Sequence, residues 1–144
     1  MNKHFHTIKF AGILLMLLTI VSCTESAPTH WVGTWGAARQ LVEPHNNPPA
    51  PGLEGNSFRQ IVQVSIGGEP ARLRLSNEFS PDSTEILAIE MAHAMTEGAS
   101  YEIDESTTVS LTFDGKPNVT MAAGATATSD PIKFPMNPRQ SVAI

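Results

Sequence analysis

Phe58-Arg59-Gln60-Ile61-Val62-Gln63-Val64-Ser65-Ile66-Gly67-Gly68-Glu69-Pro70-Ala71-Arg72-Leu73-Arg74-Leu75-Ser76 alternates apolar and polar residues on either side of a Gly-Gly pair. Successive residues of a strand point to opposite faces, so this alternation marks strands buried on one side. Phe58, Val62, Val64 and Ile66 share one face, with Gln60 the exception, and Arg59, Gln63 and Ser65 share the other. After the glycines, Ala71, Leu73 and Leu75 point inward while Arg72, Arg74 and Ser76 point outward. Gly67-Gly68 supplies the positive φ values that a tight turn needs, so the stretch predicts a β-hairpin closed there.

The same period recurs along the chain. Thr107, Val109, Leu111 and Phe113 alternate with Thr108, Ser110 and Thr112 up to an Asp114-Gly115 turn. Val119 and Met121 are in phase, as are Ile132, Phe134 and Met136. Residues 85–95 have helix-favouring composition, yet Leu87, Ile89, Met91, His93 and Met95 are large where the intervening residues are mostly small. That regularity predicts a strand buried on one side and partly covered on the other. The segment 43–55, with Pro44, Pro48, Pro49 and Pro51, reads as an exposed loop. The expected fold is all-β, an antiparallel, jelly-roll-like β-sandwich.

Composition narrows the function. Nine Lys and Arg face fourteen Asp and Glu for a formal charge of −5, and no basic run follows residue 10. Nucleic acid is therefore not expected as a partner. A single cysteine excludes an internal disulfide and a cysteine-based zinc site. Residues 1–9 carry Lys3 and Lys9, and 10–21 are apolar and uncharged. Twelve such residues rise only about 18 Å as a helix, short of a ~30 Å hydrocarbon core, so residues 1–22 read as a signal peptide. Cys23 stands where the apolar run ends and resembles the lipidated cysteine of a bacterial lipobox; the alternative is ordinary cleavage near Ala27. Lipidation would attach the chain to a membrane without spanning it and place it, exported, in a bacterial cell envelope. Residues 23–30 then form a tether and 31–144 the β-sandwich.

Few residues suggest chemistry. Glu90 and His93 have the Glu-x-x-His spacing of helical di-iron sites, but three residues apart on a strand they face opposite ways. No metal or other cofactor is expected. No Gly-x-Ser-x-Gly, Gly-Asp-Ser or Asp-x-x-His occurs, so no catalytic residue is assigned. Binding candidates are few. Trp31 and Trp35, on one strand face with Gly33 between them, are core residues or, if exposed, a sugar-stacking platform. Arg59, Arg72 and Arg74 either line one polar sheet face that holds an anionic or glycan ligand, or belong to a solvated face paired to Glu69, Glu78 or Asp82 or packed on another domain.

Taken in order, several segments resemble one family. Trp31-Val32-Gly33-Thr34-Trp35-Gly36-Ala37-Ala38 and Arg59-Gln60-Ile61-Val62 come first. Ser65-Ile66-Gly67-Gly68 and Arg72-Leu73-Arg74-Leu75-Ser76-Asn77-Glu78-Phe79 follow. Leu111-Thr112-Phe113-Asp114-Gly115, Ala123-Gly124 and Ser129-Asp130-Pro131 complete the set. This order resembles the N-terminal β-rich region of secreted SGNH (GDSL-type) hydrolases. The resemblance implies a downstream catalytic domain supplying the Gly-Asp-Ser nucleophile, the oxyanion hole and the Asp-x-x-His. Ser80 departs from the glycine common there. Residues 140–144 read as the opening of a further strand, so the sandwich is expected to be incomplete at its C-terminus. The expectation is a non-catalytic segment of an envelope-anchored serine esterase, inactive alone, with esters on glycans as the substrate class. The alternative is a free-standing, glycan-binding envelope lipoprotein.

Overall fold

A computed structural model describes residues 30–41, 43–95 and 101–144. The expected signal peptide and Cys23 lie outside the described residues. The chain divides into Met1–Val32, of which only 30–32 are described, and Gly33–Ile144, which holds every strand given below.

The described part is all-β and antiparallel, apart from a 3-10 turn at Pro44–Asn46 inside the exposed proline-rich loop. The strands are β1 (Ile61–Gln63), β2 (Arg74–Ser76), β3 (Thr84–Ile86), β4 (Glu90–Ala94), β5 (Ile103–Ser110), β6 (Val119–Met121), β7 (Thr126–Thr128) and β8 (Ser141–Ala143). One sheet has the order β1-β8-β4-β5; β2 pairs with β7, and β3 with β6. A sandwich results, with Val62, Val142 and Met91 from the larger sheet clustering with Ala71, Leu111, Ile132 and Phe134. Phe134, Leu111 and Val142 are the most completely buried of these side chains.

The expected hairpin at Gly67-Gly68 does not form. Residues on both sides of the glycines pair instead with the C-terminal stretch. Ile61 stands opposite Ala143, Gly68 opposite Met136, Ala71 opposite Ile132 and Arg74 opposite Thr128. Two long arms thus run antiparallel as one ribbon, passing from the larger sheet into the β2–β7 pair. Gly67 marks the passage. A Cβ there would collide with the Met136 carbonyl oxygen and sit 3.0 Å from Asn137 C and Pro138 Cδ. The glycine serves close backbone approach and not a reversal of direction.

Alternation holds where the core lies and lapses at the ends. Val62, Val64 and Ala71 are buried, but Phe58 is 67% exposed and Ile66 is also exposed. Residues 85–95 form two strands rather than one, broken at 87–89, with Leu87 and Met95 exposed. Within β4, Met91 and Ala92 are both buried, as expected of a strand covered on both sides. Val109, Leu111 and Phe113 follow the inward phase. They lead into the expected turn, where Asp114 (φ 50°) and Gly115 (φ 76°) let Phe113 and Lys116 exchange both backbone hydrogen bonds.

β8 lies between β1 and β4, and all three of its residues are buried. The uncharged run at 140–144 therefore has a cause inside the fold: it is a central strand, not an open apolar edge. The edges are β1 and β5, and β5 is bulged. Met91 faces Val109 and His93 faces Asp104, so 105–108 stand against Ala92 alone. The Asp104 carboxylate accepts from the Ser106 N–H and hydroxyl, while the Thr107 hydroxyl accepts the His93 N–H.

Candidate functional site

The sequence candidates do not converge on one site. Trp31 and Trp35 lie in irregular chain, not on a strand, and neither is core: they are 40% and 43% exposed. They also fall on opposite sides of the division at residue 32. Arg59 and the other two arginines do not share a sheet face. Arg59 precedes β1 and donates to the Tyr101 carbonyl at 2.7 Å, whereas Arg72 and Arg74 are exposed on the β2 side of the ribbon. Glu78, offered above as a partner for those arginines, is ion-paired with Arg39.

His93 sits at the core edge. Its Nε2 is 2.9 Å from the Pro135 carbonyl, and its ring meets Phe134 edge-on with centroids 4.7 Å apart. Glu90, at the far end of β4, is exposed. The Glu-x-x-His pair is thus split between a packed and a solvated position.

What the structure does bring together are the polar residues of the segments quoted above. Thr34 is fastened to Ser65 and Ile66: its carbonyl accepts from the Ser65 N–H at 2.9 Å and its hydroxyl donates to the Ile66 carbonyl at 2.6 Å. Asn77, only 7% exposed, is the densest node. Its Nδ2 donates toward the carbonyls of Asp82 (2.8 Å), Ala122 (3.0 Å) and Met121 (3.2 Å), and its Oδ1 accepts the Thr84 hydroxyl. Its backbone N–H and C=O bond to Ala125 and Gly124. One side chain therefore closes the turn after β2 and holds β3 and the β6–β7 turn against it. Ser129 is buried, and its hydroxyl accepts the Leu73 N–H, extending the β2–β7 ladder by one rung.

Asp130 fastens the Asp114-Gly115 turn to the ribbon. Its Oδ2 accepts from the Thr112 hydroxyl at 2.6 Å and the Gly115 N–H at 2.8 Å. The Thr112 bond and then the Gly115 N–H hold its carboxyl below the ordinary value against desolvation, with lesser help from the Asp114 N–H and the Arg72 charge. A carboxyl more acidic in the folded chain stabilises it above the unfolded-state value and loses that contribution as pH falls through the folded-state value. Asp130→Asn is thus expected to flatten the acid limb of stability. Urea midpoints measured from neutral pH downward check this, and equal slopes for both proteins would count against it.

Sequence reasoning gave Asn77 and Arg39 no role: a lone Asn or Arg carries no spacing signal, although Asn77 continues the inward phase of Ala71, Leu73 and Leu75 and is buried there. Among the described residues, no group of three or more His, Cys, Asp or Glu is placed to hold a metal ion. No helix there is long and apolar enough to cross a membrane. No protein-family model and no curated protein matches the chain.

Proposed function

We propose that this chain is the non-catalytic β-sandwich segment of an envelope-anchored, SGNH-type serine esterase, with the ester-cleaving machinery on a downstream domain. One observation carries the reading. The segments that resemble the family are also those whose polar residues fasten the fold: Thr34 to Ser65-Ile66, Asn77 to 122–125, Ser129 to Leu73, and Asp130 to Thr112 and Gly115. The likeness is thus one of scaffold. A scaffold shared for its staples needs no nucleophile of its own, and this sequence has no Gly-Asp-Ser or Asp-x-x-His to provide one.

In such an enzyme a serine hydroxyl, giving its proton to a base, attacks the ester carbonyl; the alcohol leaves with that proton as the acyl-enzyme forms, and water then cleaves it to the acid and the free serine. Every group needed for those steps would come from the other domain. The acylated substrate is proposed to be a glycan, and a lipid on Cys23 is proposed to hold the protein at the membrane.

The test is a serine-directed fluorophosphonate applied to envelope extracts, followed by capture with an antibody against 101–121. Labelling of a captured polypeptide larger than 144 residues is the expected result. Captured chains that carry no label would overturn the reading. The 144-residue chain alone is expected to hydrolyse short aryl esters at the buffer rate, because the usual ~10⁶-fold or greater acceleration has no source in it.

The second reading, a free-standing glycan-binding lipoprotein, draws on the partial exposure of Trp31 and Trp35, 40% and 43% accessible. Polysaccharide retention that disappears in Trp35→Ala would favour it.

A further inference from the structure

The turn after β2 and the irregular chain at 39–40 border an open cleft of ≈ 150 Å³ within the second unit. Phe79, Glu78, Ser76 and Ser80 line one side of it, and Arg39 and Gln40 line the other. We propose that this cleft binds one unit of a neutral saccharide, a site separate from both tryptophans and from Arg59, Arg72 and Arg74.

Size favours a small ligand unit. Pockets for cofactors and drug-sized molecules run to roughly 300–1,000 Å³, so a nucleotide or flavin does not fit, whereas a single sugar ring with its neighbours in solvent does. The chemistry of the walls matches a sugar as well. Phe79 offers a partly exposed aromatic face, 43% accessible, on which the C–H face of a pyranose can stack. A planar guanidinium, a planar amide and a carboxylate stand around it, and such groups engage vicinal hydroxyls two at a time. Charge favours a neutral ligand: Arg39 is already compensated by Glu78, and the chain is acidic overall.

The aromatic wall is also held in place. Phe79 belongs to the turn closed by the Ser80 N–H on the Asn77 carbonyl, and Asn77 is anchored by its buried amide. The Ser80 hydroxyl tightens the same turn by bonding the Asp82 carbonyl at 3.1 Å. A backbone fixed before binding spares the ligand the cost of ordering the turn that carries Phe79.

This inference deepens the glycan-directed side of the function proposed above but needs no catalytic domain, so the fluorophosphonate experiment can fail while this one succeeds. The test is calorimetric titration of the full chain with cellohexaose and chitohexaose as neutral probes and hexagalacturonate as the charged one. At least one neutral probe is expected to bind, weakened about fivefold or more by Phe79→Ala, as loss of one aromatic contact implies. Gln40→Ala, at an exposed position outside the turn, should weaken it too, which guards against a folding defect in the first variant. No binding of either neutral probe up to ~10 mM, the weakest range such a cleft would use, would overturn the proposal. So would binding of hexagalacturonate alone, or neutral binding that Trp35→Ala abolishes and both cleft variants leave intact.

Discussion

Replacing Asn77 with Ala is expected to cost about 3–5 kcal/mol, a large share of the roughly 5–15 kcal/mol that holds a domain folded. The residue is small, polar and outwardly unremarkable in sequence, so the size of the effect comes from its burial. The substitution leaves the carbonyls of Asp82, Ala122 and Met121 and the Thr84 hydroxyl without the amide that serves them. Buried groups stranded in this way cost about 1–3 kcal/mol each when water cannot replace the lost partner. Asn77→Asp is nearly isosteric and should be no better, because a carboxylate would face three carbonyl oxygens in place of a donor. Glu78→Gln, one residue on, breaks only the exposed pair with Arg39 and should cost under about 1 kcal/mol. Urea unfolding of the three variants checks the ranking. An Asn77→Ala loss no greater than that of Glu78→Gln would show that the node does not hold the turn.

Gly67→Ala is expected to cost roughly 2–3 kcal/mol, the usual penalty for forcing a group into filled space. The obstacle is the Met136 carbonyl oxygen, a backbone atom with no rotamer to retreat into, so the two arms of the ribbon must separate there. Gly68 provides the contrast. Its added Cβ would meet open space, and only its φ of 154° disfavours a side chain, so Gly68→Ala should cost about 1 kcal/mol. Gly36→Ala has neither obstacle and should be neutral or slightly stabilising, by up to ~1 kcal/mol. Thermal melts of the three proteins should fall in that order. Equal losses at Gly67 and Gly68 would mean that a turn conformation, as the sequence predicts, governs the pair after all.

The two glycines also show where reading from sequence stops. A Gly-Gly pair between two alternating runs suits a hairpin turn, and it equally suits a place where extended chain passes close to another backbone. Only the partner decides between them, and the partner here is the stretch around Met136, far along the chain. The candidate binding residues failed to converge for the same reason. Arg59 and Arg72 are alike in phase on the page, yet the ribbon carries one to the end of the larger sheet and the other to the opposite layer.

From its sequence alone this protein is all-β, because alternation with a period of two is a property of the local backbone and needs no partner to be legible. The inward phase of Val62, Val64, Leu111, Phe113 and Phe134 and the positive-φ turn at Asp114-Gly115 are equally local, and each stands in the structure as read. Tertiary structure alone decided the rest: that β1 and β2 pair with the C-terminal stretch and not with each other, that 140–144 supply a central strand, that the tryptophans lie partly in solvent, and that Asn77 is a buried hub. Alternation states which face a residue takes, whereas pairing and burial depend on chain brought close in space from far away in sequence.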